Sequence, residues 1–167
     1  MILYLAFARS MYVRFFIKTG HPIRVNAELP ALSGDIKACV DVLEPFTYEG
    51  KVFYSMAGWA FTTTDPAMPP EEYDRQLVLV SEDNNYLFPM ETYRRNDVQR
   101  AFQHLGMELA FSGFHAEIAA ETIRTDSYRI GVVFENPRKG TRFYALTRTL
   151  LVRTPNTLSL EKKSVAS

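Results

Sequence analysis

The chain predicts an all-β antiparallel sandwich, immunoglobulin-like or jelly-roll-like, carrying one short helix. Three observations lead there. Several segments alternate apolar and polar side chains with the two-residue period of a half-buried strand. Turn-forming residues separate them at short intervals. Only one stretch, within residues 96–106, has the three-to-four residue spacing of a helix. A closed barrel is the alternative; uneven strand and loop lengths favour the sandwich, of roughly seven to nine strands.

The helix is the clearest single element. Val98, Ala101, Phe102 and Leu105 fall at i, i+3, i+4 and i+7, so one face is apolar. Asn96 is an N-cap residue with Gln99 at the capping-box position, and Gly106 supplies the C-terminal stop. Such a helix is expected to plug the open end of a β core.

The strands follow in order. Residues 23–29 alternate after the break at Gly20-His21-Pro22. From Asp35, residues Ile36, Ala38, Val40 and Val42 point one way, and Lys37, Cys39 and Asp41 the other; Pro45 and Glu49-Gly50 end this strand. Residues 51–63 are nearly all apolar or aromatic, as in a strand buried on both faces, with Gly58 marking a bulge or a close backbone approach. A proline-marked loop leads to residues 76–81, and Glu82 to Asn85 make a hairpin turn into Tyr86-Leu87-Phe88. Phe114, Ala116 and Ile118 alternate with His115 and Glu117. Tyr128, Ile130, Val132 and Phe134 form another face, and residues 141–153 make a long last strand.

With 167 residues, this is one domain's worth of core. The sandwich is placed at residues 35–155, with a loose tail over 156–167. Net charge is zero, which argues against a nucleic-acid partner. Residues 1–20 stand apart: they hold Arg9, Arg14 and Lys18, no acidic residue, and a strongly apolar remainder. They read as an N-terminal apolar helix that lies on a membrane through residues 1–18 or packs on a partner, or as the tail of a longer membrane helix; a core helix or strand of the same domain is the plain alternative. The pattern is neither a signal peptide nor a full membrane span. The single cysteine, Cys39, excludes an internal disulfide.

Four pieces occur in order: Gly58-Trp59-Ala60-Phe61, Arg95-Asn96-Asp97-Val98, Ser112-Gly113-Phe114 and Tyr128-Arg129-Ile130-Gly131. In that order they resemble a β-sandwich module of bacterial cell-envelope proteins, one that accompanies membrane proteins and glycosyltransferases of surface-polysaccharide assembly. The resemblance implies an accessory domain at the cell envelope, beside a membrane, without catalytic residues of its own. A cytoplasmic location is the alternative.

No phosphate loop, dinucleotide fingerprint, nucleophile elbow or zinc-protease run occurs, so no cofactor and no catalytic residue is expected. His104 and Glu108 form one His/carboxylate pair. His115 and Glu117, two apart on a strand, share a face and are the candidate metal ligands; with them the chain is a metal-assisted hydrolase with a shallow site. The leading expectation is instead a non-catalytic carbohydrate-binding-like or protein-binding module of the envelope. Tyr86, Tyr93 and Arg94 are its candidate binding residues, drawn from tyrosines that also include Tyr48, Tyr54, Tyr73 and Tyr144. A structural subunit of a larger assembly is the remaining possibility.

Overall fold

Eleven strands and one helix follow one another along the described part of the chain, residues 20–162 of a computed structural model. The strands are β1 (Arg24–Val25), β2 (Ala31–Leu32), β3 (Ile36–Tyr48), β4 (Lys51–Thr62), β5 (Asp74–Val80), β6 (Asn85–Pro89), β7 (Glu91–Tyr93), β8 (Gly113–Ala119), β9 (Asp126–Asn136), β10 (Thr141–Arg153) and β11 (Leu158–Lys162). The helix α1 spans Asn96–Ala101. The expected N-terminal apolar helix lies outside the described residues. Among those described, no helix is long and apolar enough to cross a membrane.

Two sheets result. One has the order β1-β6-β5-β9-β10-β11, with β2 pairing β10; the other has the order β3-β4-β8-β7. All pairings are antiparallel except β2 with β10. The sandwich is thus the observed architecture. Its main core takes Tyr54, Met56 and Ala60 from β4 and Phe114, Ala116 and Ile118 from β8. Leu77 and Leu79 of β5 and Tyr128, Ile130, Val132 and Phe134 of β9 meet them from the other sheet. The four β9 side chains are fully buried. Each such burial contributes roughly 1.5–3 kcal/mol. An exposed pair such as Lys51–Glu121 at 3.1 Å adds at most about 1 kcal/mol, so the inward row of β9 weighs far more.

Each outer face is also covered in part. Val78, Leu87 and Val133 lie beneath Ile23, Ala27 and Leu29. On the other sheet, Phe61 packs with Val98, Met107 and Leu109, and with Trp59, Phe102 and Leu105 at the margin. The helix therefore lies on the outer face of the four-stranded sheet instead of plugging the end of the core. The apolar stripe showed that one side of α1 is covered but not by what.

Several boundaries differ from the sequence expectation for local reasons. Pro45 does not end β3, because β3 is an edge strand whose second side needs no ladder N–H. The strand runs on to Tyr48, and Glu49 and Gly50, at φ 50° and 75°, form the two-residue hairpin loop. A bulge at Asp41 lets Val40 and Val42 face Gly58 and Ala57. The alternation slips there, so Val42 is exposed and Leu43 turns to the core. Gly58 is the close approach: a Cβ would come within 2.1 Å of the Cys39 carbonyl oxygen. Asn96 is the first helical residue, not the N-cap, and its Oδ1 accepts from Arg94 Nε at 2.9 Å. Gln99 forms no capping box; its amide holds the Met107 carbonyl at 2.9 Å and the Leu109 N–H. Ala101 is exposed, while Gly106 takes the left-handed stop at φ 63°. The expected loose tail is, over Leu158–Lys162, strand β11 paired with β10.

A buried guanidinium joins the sheets from inside. Arg75 on β5 is 8% exposed. Its Nη1 donates to the carbonyls of Ala60 at 2.9 Å and Ser112 at 3.1 Å. Its Nη2 donates to Thr92 Oγ1 at 2.9 Å and to the carbonyls of Phe111 and Gly113 at 3.1 and 3.4 Å. Burial lowers its pKa to about 10, with Glu71 opposing, and the guanidinium is charged at neutral pH. Arg75→Met keeps much of the volume but takes the donor from buried acceptors, of which the Ser112 carbonyl keeps the Ala60 N–H at 2.9 Å; each acceptor left unpaired costs roughly 1–3 kcal/mol. Urea unfolding of this variant is expected to show a loss of about 3 kcal/mol or more; a loss below about 1 kcal/mol would mean that water replaces the guanidinium.

Candidate functional site

The two sheets do not close where β3 passes β10. Between these strands lies an open cleft of about 850 Å³. Lys37 and Asp41 come from β3, Trp59 from β4, Phe102 from the end of α1, and Thr147 and Arg148 from β10. A second, more open hollow of about 520 Å³ at Arg24, Glu28 and Arg142 has no aromatic wall.

Local structure explains each wall. Trp59 stands on the outer face of β4 opposite Cys39, two rungs from the pairing of Phe61 with Lys37. Its ring stacks at 5.8 Å on Phe61 and lies 5.4 Å from Phe102, which meets Phe61 edge-on at 5.0 Å. Trp59 and Phe102 are half-buried, so each keeps part of its ring at the surface. On the opposite wall the β9–β10 register shifts between Leu146 and Leu150. Thr147 Oγ1 accepts from the Thr149 N–H at 3.2 Å inside that bulge, and Arg148 is exposed.

An ion cluster holds the helix to the rim. Arg95, just before α1, reaches Asp41 Oδ2 at 2.6 Å and Asp97 Oδ2 at 2.7 Å. The hydrogen bonds with Asp97, foremost, and with Asp41 raise the Arg95 pKa above its ordinary value. In turn Arg95 lowers the Asp97 pKa from 3.8 to about 2. Asp41 sits in the β3 bulge, so the clamp ties α1 to the edge strand at the point where the ladder slips.

The residues singled out from the sequence are placed elsewhere. Tyr86 is 4% exposed, edge-on to Tyr128 at 5.8 Å, and presents no binding platform. Tyr93 is half-buried and donates to the Gly58 carbonyl at 3.3 Å. Arg94 lies over the Phe111 ring at 5.8 Å. None of the three lines the cleft.

His115 and Glu117 share the outer face of β8, but the partners of His115 are on neighbouring strands. Its Nε2 lies 2.6 Å from Ser55 Oγ on β4, and its Nδ1 lies 3.8 Å from Glu91 Oε2 on β7. Among the described residues no three His, Cys, Asp or Glu side chains are placed to hold a metal ion. Ser55 sits mid-strand between β3 and β8.

No family model matches the chain, and neither does any curated protein or solved structure. Three of the four sequence pieces meet in space. Phe61 and Val98 share one cluster, Trp59 pairs with Gly113 across β4 and β8, and a Cβ at Gly113 would come within 2.6 Å of the Tyr93 carbonyl oxygen and 2.8 Å of the Arg95 side chain. The fourth piece supplies Tyr128 and Ile130 to the main core.

The cleft residues were missed because they are local nowhere. Phase was the available signal for one of them, since Trp59 and Phe61 share a face opposite Ala60. Nothing in sequence brings Arg148 to Lys37.

The clamp gives a pH signature. A folded-state carboxyl pKa below the unfolded one contributes stability that is full above about pH 3.8 and is lost as pH falls through about 2. Asp97→Asn is therefore expected to flatten the stability profile between about pH 4 and 2 relative to the parent chain. Salt near 1 M should shrink the difference. Parallel acid limbs in thermal melts at matched pH would remove the clamp.

Proposed function

We propose that the chain is a non-catalytic binding module of the bacterial cell envelope, taking a glycan in the cleft between β3 and β10. One observation carries the reading: the half-buried rings of Trp59 and Phe102 stand beside Thr147, Lys37 and Arg148 around one open cleft. Saccharides are amphipathic, with C–H faces that cover aromatic rings and hydroxyls that need donors and acceptors. A site of few polar groups around an apolar wall meets both needs. The ordered sequence pieces support the envelope setting, since the module they resemble accompanies surface-polysaccharide proteins.

Trp59 is the chain's single tryptophan, so intrinsic fluorescence reports occupancy of the cleft directly. Titration with a panel of envelope-type oligosaccharides is expected to shift its emission. Phe102→Ala removes one wall and is expected to weaken binding by about tenfold, near 1.4 kcal/mol. Emission unmoved across the panel would leave a protein partner as the occupant.

The basic apolar segment, residues 1–18, holds the module at the membrane in this reading. Arg9, Arg14 and Lys18 suit anionic headgroups, and the residues between them suit the acyl boundary. Deleting residues 1–18 is expected to move the protein from the membrane fraction to the supernatant. An unchanged distribution would remove the anchor.

A further inference from the structure

We infer that the cleft prefers acidic saccharides, those bearing a carboxylate such as uronic acid units; the inference rests on the glycan reading above. Three charged side chains line the cleft: Lys37, Asp41 and Arg148. Asp41 is already engaged, because its Oδ2 accepts from Arg95 Nη1 at 2.6 Å. Lys37 and Arg148 are exposed and form no ion pair among the described residues. Asp41 shares that guanidinium with Asp97, so the clamp keeps one net negative charge against two cleft cations without an ion partner among the described residues.

This polarity is local. The chain carries 19 basic and 19 acidic residues and is neutral overall, so the two unpartnered cations do not reflect a generally basic surface. They also come from both sides of the cleft, Lys37 from β3 and Arg148 from the β10 bulge. A sugar ring on Trp59 and Phe102 would place its acid group between cations on both walls. Guanidinium matches a carboxylate with two parallel donors, while the lysine ammonium adds a point charge. Exposed pairs are each weak, so two of them support a preference on the order of tenfold at low salt.

The test uses the full chain and a panel that pairs uronate oligosaccharides with their methyl esters. Esterification removes charge and keeps the rings and hydroxyls. Calorimetry is expected to show roughly tenfold tighter binding of the acids at low salt, falling toward the esters as salt is raised. In Lys37→Gln/Arg148→Gln, changed at exposed positions that leave the core untouched, the acid-to-ester affinity ratio should fall to about one. Equal affinity of acids and esters for the parent chain would overturn this inference while leaving the glycan reading in place. A preference that survives the double substitution would overturn it too. Binding by neither acids, esters nor neutral glucans would overturn both.

Discussion

The buried guanidinium of Arg75 is the constraint on which the arrangement of the two sheets depends. It leaves β5 among apolar neighbours and finds its five acceptors on or beside the opposite sheet. Four are backbone carbonyls, so the requirement falls on the path of the chain more than on residue identity. A cation taken out of water costs several kcal/mol unless its donors are matched. The sheets are consequently held at the one spacing and rotation where Ala60, Thr92 and the 111–113 segment converge. Apolar packing alone would tolerate sliding, because side chains of similar volume repack at modest cost. Hydrogen bonds aimed from a planar fork would not.

The cleft inherits its shape from that point. The 111–113 segment leads into β8 at Gly113, which pairs with Tyr93 at the end of β7 and with Trp59 on β4. Arg95 follows directly, its N–H on the Ala110 carbonyl at 2.6 Å. From there α1 has little choice of direction: Val98 goes onto Phe61, and Phe102 arrives beside Trp59. The Arg95 clamp to Asp41 then fixes the far side of the helix to β3. A buried interaction between the sheets thus sets the position of an exposed aromatic wall through a few consecutive contacts.

How much of this the sequence showed depends on how local each feature is. The face of Tyr128, Ile130, Val132 and Phe134 was legible because a strand's period needs no partner to be seen, and β10 was legible with both its ends. The hairpin at Glu49-Gly50 was visible as a stop, although Pro45 was mistaken for one. Its tolerance depends on β3 being an edge strand, which is a property of the sheet. The exposure of Val42 was hidden for the same kind of reason, since a bulge is created by pairing with Gly58 and Ala57. Arg75 was overlooked despite a usable signal: it shares the phase of Leu77 and Leu79 and so points inward. The helix was recognised from its stripe, but a stripe names a buried face and leaves the covering surface open. At the site, the wall is not a tyrosine but a tryptophan and a phenylalanine that packing on Phe61 leaves half-covered.

The same two irregularities explain why the molecule is a sandwich with a cleft and not a closed barrel. A barrel would require β3 to pair with β10 along its free edge. Each strand breaks its regular path at the place where they meet: β3 at Asp41, opposite Gly58, and β10 between Leu146 and Leu150. Bulges increase local twist and turn a strand away from a would-be neighbour. Lys37, Asp41 and Glu44 along β3 add charge to an edge that would otherwise invite pairing with a second chain, and Pro45 removes a donor from it. Protection of an edge and formation of a binding cleft are then one event. The residues that keep the strands apart, among them Asp41 and the 147–149 bulge, also line the space they leave. Restoring a regular ladder there would complete the sheet at the expense of the site, so the cleft persists only while both strands stay irregular.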